Sequence, residues 1–542
     1  MKKVKKLSVL FVLLLATLLA ACSDSGNKSS DGSSSKTSSD GKTLFIGLVN
    51  PPISFNPINS GDFASQWLEK FMFETFLEMT APLEFTPKLA ESFETEDNQT
   101  YTIKLQPKAT WSDGEPVTAE DIAFTFNLIA NPKTETSVGT IISNLEGLDE
   151  NGKLTNGEKE IPSITVVDEK TFTFKTKQPV DPNLIKEFIG SQIMILPKHI
   201  LKDVAPEDLT AHPFMQNPNV TNGAFKFVKY EADQYVEFAK NDNYYVSKPK
   251  LDKIFVKIMP ATNLVAQLQT GEIHMNAGVG LGSIAVSDYD TVEKIKGIHT
   301  TANPANGYQT LLFNTKKITD PNVRVAIGHA INRDQMIESL LQGKGDYVDG
   351  PYPSINPYYD SSIKNISYDP EKAKEMLKAA NWDFNTPLEI AVPAGNKMRE
   401  QAGAIILENL KAIGLNVQLV TSDFPTHIAK AREGNYDLMI LGYTTNIDPD
   451  ITNYYGNDSP FNFTGYQSEE KEKLLLAGNN EPNPEKRKAI YSELQALFVK
   501  DLPVFTLYSE YDFAAISDKV ISAGPTFFGY HNNLQDWDLS DK

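Results

Sequence analysis

Side chains able to do covalent chemistry are few in this chain and widely spaced. Cys22 is the only cysteine in 542 residues, and a lone thiol supplies neither a redox pair nor a Cys-x-x-Cys metal site. Seven histidines, His199, His212, His274, His299, His329, His427 and His531, occur singly, with no pair at a metal-ligand spacing. No His-Glu-x-x-His segment offers zinc chemistry, and no Gly-x-Ser-x-Gly turn presents a serine nucleophile. Carboxylates number 70, so pairs of them carry no information. The expectation is a protein that is not an enzyme, has no cofactor or metal, and works by hydrogen bonding and enclosure.

Cys22 has a better use than catalysis. Lys2, Lys3, Lys5 and Lys6 precede an apolar run from Leu7 to Leu18, and Leu19-Ala20-Ala21-Cys22 follows. Residues 1–21 therefore read as an export signal, shorter than the roughly 18 to 20 apolar residues that a membrane span needs. The tetrapeptide resembles a bacterial lipobox, whose cysteine takes a diacylglyceryl thioether. Two acyl chains hold a protein on a bilayer far more firmly than one, at about 0.8 kcal/mol per buried methylene. Residues 22–43 are Ser, Gly, Asp, Lys, Asn and Thr almost throughout, a flexible tether with a mean reach of about 25 Å. The expected location is the outer face of the bacterial cytoplasmic membrane, held by Cys22.

What remains exceeds the roughly 250 to 300 residues at which single cores stop growing, so at least two lobes are expected. Net charge is −19, and −23 once the four signal lysines are gone, which argues against nucleic-acid and anionic-lipid partners. Leu44–Val49 reads as a buried first strand and residues 64–77 as a helix. Tyr101–Leu105 and Lys170–Lys175 alternate as half-exposed strands, and Thr118 caps a helix running to Ile129. Further on, Leu388–Val392, a helical pattern ending at Gly414, and Leu415–Val420 form a strand-helix-strand unit of the parallel kind. Residues 437–442 add another buried strand.

Trp111-Ser112-Asp113-Gly114-Glu115-Pro116-Val117-Thr118-Ala119-Glu120-Asp121-Ile122 resembles the signature stretch of the peptide- and nickel-binding family of ABC-importer solute-binding proteins. Leu196-Pro197-Lys198-His199, Gly223–Phe227, Asn241–Tyr245, Leu268–Ile273, Phe313–Lys316, Val323–Ile327, Ile331–Arg333 and Tyr368–Ala373 extend the resemblance over most of the chain. It implies an α/β, two-lobed, hinged, periplasmic-binding-protein-like fold with an extra subdomain on the first lobe. We place the first lobe at 44–69, 201–305 and 509–542, the subdomain at 70–200 and the second α/β lobe at 306–508. Locally, Asp113-Gly114 reads as a tight turn over a packed Trp111, a structural role. Arg324 and Arg333 read as residues of a solvated helix face.

A ligand should sit between the lobes, at strand ends. The loop after Gly442 is the best candidate, and in the family it lines the cleft. Peptide binders of the family often carry there an aspartate that pairs with the ligand's amino group. Here Thr445 or Asn446 holds that position, with Asp448 nearby. The candidate ligand-binding residues are Tyr443, Thr444, Thr445, Asn446, Asp448, Phe63 and Tyr308, the aromatic ones as pocket walls. The resemblance implies an oligopeptide ligand and the transmembrane subunits of an ABC importer as partners, and we expect a monomer. An oligosaccharide or signalling peptide on the same fold, or a surface hydrolase, are the alternatives. The absence of a histidine near the cleft loop disfavours nickel, and a sugar would want stacked tryptophans, of which only Trp67, Trp111, Trp382 and Trp537 exist.

Overall fold

The structure is a computed structural model that describes residues 41–540 apart from 156, 279, 525 and 527. The export signal, Cys22 and most of the tether lie outside the described residues. Among the described residues no helix is long and apolar enough to cross a membrane.

The first strand, Thr43–Leu48, pairs in parallel with Lys253–Ile258 on one side and Met275–Asn276 on the other. Buried between two neighbours, it uses its apolar run on both faces, as parallel strands do. It belongs to a twelve-stranded sheet that reaches from Val417–Ser422 at one edge to Phe225–Glu231 at the other. The unit expected around residue 400 is present: Leu388–Pro393 and Val417–Ser422 pair in parallel, joined by the helix Lys397–Ala412. Gly414, at φ +92°, ends that helix in a conformation that suits glycine.

The strand Val504–Ser517 runs through the middle of this sheet. Its first part pairs with Gly307–Phe313, and its later part with Ile298–Pro304. The buried apolar side chains sort accordingly. One cluster draws on residues 44–281 and 516–537, two others on residues 308–508, and a small fourth on 259–292 with Phe513 and Ala515. Residues 70–200 carry their own four-stranded antiparallel sheet, built from Ala90–Thr95, Thr100–Leu105, Thr171–Lys175 and Ile164–Asp168. Their core is nonetheless continuous with that of 44–69.

Three local expectations need comment. The helix expected over 64–77 is only Phe63–Glu69, capped by Asp62. Beyond it, the carbonyls of Phe71 and Met72 accept from Phe225 and Gly223, and Glu74 N–H donates to Asn222 Oδ1. With Phe71, Met72 and Phe73 all fully buried, the segment packs on every side, which a one-faced helix cannot do. The signature turn is structural: Gly114 sits at φ +100°, Trp111 is fully buried, and Asp121 closes the capping box on Thr118.

Arg324 and Arg333 are the correction, because both are buried. Arg324 donates to the carbonyls of Ile318 and Asp501, the latter at the end of the helix Pro484–Asp501. Arg333 lies between the rings of Tyr347 and Phe505, 4.0 and 4.1 Å from their centroids. It donates to Asp349 and to the carbonyls of Thr506 and Ile366. Long-range carbonyl acceptors, invisible to helical periodicity, make that burial tolerable. Arg333→Ala leaves Asp349 buried without its cation, so it should cost about 3–5 kcal/mol in urea unfolding. A loss below about 1 kcal/mol would return Arg333 to a solvated role.

Candidate functional site

The strand Leu438–Thr444 is buried along most of its length and runs antiparallel to Gly307–Phe313. At Gly442 a Cβ would stand 2.6 Å from Gln309 Oε1 and 2.7 Å from Arg399 Nη2, so a larger residue would displace the ends of those two side chains. After Thr444 the chain leaves the sheet. Thr444, Thr445, Asn446 and Ile447 then line a cavity of about 330 Å³, within the size range of ligand sites. Its other walls come from remote segments: the helix Phe63–Glu69, residues 138–141 and 187–194, and residues 528–531.

The loop is held by its backbone. Asn306, which also lines the cavity, donates its side-chain amide to the Thr445 carbonyl and accepts from Thr445 N–H. Ile447 N–H and Asp448 N–H both donate to the Glu187 carboxylate, at 2.8 and 2.6 Å. Asn356 donates to the Ile447 carbonyl at 3.0 Å, and Tyr352 to that of Pro449 at 3.2 Å. Glu187 is buried, and burial together with the neighbouring Asp448 charge pushes its pKa up to about 8, against the pull of those two N–H groups.

Four expected residues reach the cavity: Phe63, Thr444, Thr445 and Asn446. Phe63 is about half exposed, at 52%. The other three need correction. Tyr308 and Tyr443 face each other across paired strands and are buried in a tyrosine-rich core. They fall on the inward face of that pair, where Tyr308 spends its hydroxyl on the Pro351 carbonyl at 2.8 Å. Asp448 is also buried and does not line the cavity. Both of its oxygens bind Arg487, at 2.5 and 3.1 Å, and Arg487 reaches Asp181 at 3.4 Å. A carboxylate matched to a guanidinium in this way is not free to receive an ammonium.

Sequence reasoning missed Glu187, Asn306, Trp67, Tyr530 and His531. No local pattern marks them, since each reaches the cavity only through the packing of distant segments. Residues 178–187 show this well. Gln178 donates to Asn480, Asp181 accepts from Tyr358 at 2.8 Å, and Glu187 takes the loop amides. One short stretch thereby binds three places in residues 358–480 without sharing their hydrophobic clusters. Among the described residues no group of three or more His, Cys, Asp or Glu side chains could hold a metal.

A cavity walled by segments from separate cores is an arrangement that can enclose a solute. The chain belongs to the bacterial extracellular solute-binding proteins, family 5, whose sequence profile matches residues 84–465. It is 30% identical over 485 residues, 86% of each chain, to a putative ABC transporter peptide-binding protein of Brucella ovis. It is 27% identical over 528 residues to the oligopeptide-binding protein AppA of Bacillus subtilis, covering 93% of this chain and 92% of that one. The structure of that AppA in complex with a nonapeptide superimposes with a TM-score of 0.72 over 92% of this chain and 99% of the other, at 25% identity. The ABC transporter substrate-binding protein CtaP of Listeria monocytogenes shares the fold, with a TM-score of 0.79 over 92% of this chain and 99% of that one, at 24% identity. The architecture is thus the two-lobed α/β fold of these proteins.

The Glu187 clasp has a sign that can be checked. Its folded pKa of about 8 lies above the ordinary 4.5, so between those values the folded chain keeps a proton that the unfolded chain has lost. Stability contributed by this group is full below the lower value and falls as pH rises through the window. Glu187→Gln cannot titrate, so the drop in melting temperature between about pH 5 and pH 8 should be smaller than in the wild type. An unchanged pH dependence would show that Glu187 is ionised throughout.

Proposed function

We propose that this chain captures oligopeptides in the cavity beside residues 444–447 and delivers them to an ABC importer, without covalent chemistry on them. The observation that carries the reading is that cavity, walled by segments from separate cores, in a chain of this family. The peptide-binding names of its full-length relatives support it. The lobes are taken as 44–69, 201–305 and 509–542 for the first, with 70–200 attached, and 306–508 for the second. Capture is then closure of one on the other. Cys22 carries the lipid anchor in this reading, supported by the sequence Leu19-Ala20-Ala21-Cys22.

The chemistry of the loop favours a particular mode of binding. Thr445 and Asn446 are neutral, and Asp448 is taken by Arg487, so the loop offers no free carboxylate to fix a peptide's amino end. Repeating main-chain N–H and C=O groups remain as the handle common to all peptides. Bridging waters let side-chain pockets accept different residues at little cost. Longer peptides held along their length suit this arrangement better than dipeptides.

Peptides of two to ten residues should raise the melting temperature of the purified chain in proportion to ln(1 + [L]/Kd). N-acetylation should change affinity by less than about threefold, since no buried ion pair is lost. A library that never shifts melting, beside an oligosaccharide that does, would overturn the reading. For the anchor, Cys22→Ala should move the protein from the membrane fraction to the soluble one; retention in the membrane would reject lipidation at that residue.

A further inference from the structure

The hairpin formed by Leu77–Ala81 and Glu84–Pro87 turns through Pro82 and Leu83. Leu83 stands at φ +60°. Proline followed by a positive φ is the pattern of a type II turn, whose second central position favours Gly or Asn. A leucine there brings its Cβ too close to the following carbonyl oxygen, so the conformation persists only where the surroundings hold it. Most other non-glycine residues with positive φ have a local reason. Asn98, Asp233, Asn381 and Asn533 are types that tolerate the left-handed region, and Gln342 and Leu502 end helices. Leu502, the other leucine, is held by full burial in the core of residues 311–508.

Leu83 is held by a different core from the one that carries its hairpin. The base of the hairpin belongs to the cluster of residues 44–281 and 516–537, in which Leu77 is buried and against which Phe85 packs. Leu83 packs against the tyrosine-rich cluster of residues 308–504, and among the described residues every other member of that cluster lies at or beyond residue 308. Residues 178–187 reach the same region by hydrogen bonds alone, through Gln178, Asp181 and Glu187. The hairpin tip adds an apolar contact to that polar seam.

The rest of the hairpin fixes where the tip can go. Thr80 is the extra residue of a bulge between the pairs Met79–Phe85 and Ala81–Glu84, which bends the strand just before the turn. The bulge is pinned from outside, since Gly529 N–H donates to the Met79 carbonyl at 2.9 Å. At the base, Leu77 lies so close to Gly190 that a Cβ there would stand 2.9 Å from its Cδ1. Glu78 and Met79 line the cavity. The hairpin therefore runs beside the cavity from one core to the other.

We propose that Leu83 is a positioning residue for capture, a latch that holds the lobes closed over the cavity by docking on the cluster of residues 308–504. Strain in the turn is present in every folded state, whereas the apolar contact that offsets it exists only while the lobes meet. Opening leaves the leucine both strained and wet. Glycine or asparagine would make a better turn and a worse latch. That opposition separates a latch from an ordinary core residue, whose loss weakens fold and binding together. The assignment deepens the oligopeptide reading and rests on it, because release of the guest has to part Leu83 from its cluster.

The test is stopped-flow displacement of one dye-labelled peptide that shifts wild-type melting, from wild type, Leu83→Gly, Leu83→Asn and Leu83→Met. Urea unfolding of each unliganded chain accompanies it. The Gly and Asn variants should release the peptide about five- to twentyfold faster, the equivalent of a partly buried leucine side chain. Association should stay within about twofold, because the latch engages after the guest has entered. Their unliganded unfolding midpoints should equal or exceed that of wild type, since the turn strain is gone. Leu83→Met keeps an apolar tip, and its release should stay within about twofold of wild type. Unchanged release from the Gly and Asn variants would overturn the latch and leave the oligopeptide reading standing. Faster release with a lower unliganded midpoint, or failure of these variants to fold, would make Leu83 a residue of the folding core and overturn the latch as well. Wild type that binds no peptide removes that reading and the latch with it.

Discussion

The candidate site depends on one buried carboxylate holding two backbone amides from a distant part of the chain. Glu187 takes the N–H groups of Ile447 and Asp448, and so decides where the loop after Thr444 lies. Burying that carboxyl is costly enough to push its pKa up to about 8 although the two backbone donors oppose the rise. Asn306 holds the same loop from its other end. Between the two, the loop side chains line the cavity while their backbone is held in place.

This clasp belongs to a seam that is polar by construction. Gln178, Asp181 and Glu187 reach Asn480, Tyr358, Arg487 and the loop. Among the described residues the buried apolar clusters on its two sides are separate, with the partly buried Leu83 packing against the far one. Parting the seam exchanges hydrogen bonds for water without exposing a hydrophobic core, which is the cheaper kind of separation. The sheet constrains the same motion. Residues 304–307 and the strand Val504–Ser517 carry the chain from one set of clusters to the other, so relative movement has to bend there. Asn306 stands at one of these crossings and in the cavity wall.

Much of the organisation was legible in the sequence because it rests on short-range signals. Alternation marked Tyr101–Leu105, an apolar run marked Leu44–Val49, and Asp113-Gly114 announced a turn that the structure has at φ +100°. The loop after Gly442 was legible for the same reason, as the end of a buried strand. Arg324, Arg333 and Asp448 were misread because a charged side chain looks solvent-facing until its partners are known. Those partners lie from 5 to 178 residues away.

By itself the sequence determined the secondary elements, the family resemblance and the neutral character of Thr445 and Asn446, all properties of neighbouring residues. Only the tertiary structure decided that Asp448 serves Arg487, that Tyr308 and Tyr443 are core, and that Glu187, Trp67, Tyr530 and His531 meet at one cavity. The physical reason is separation: hydrogen bonds and burial act over a few ångströms of space, and the groups concerned lie tens to hundreds of residues apart along the chain.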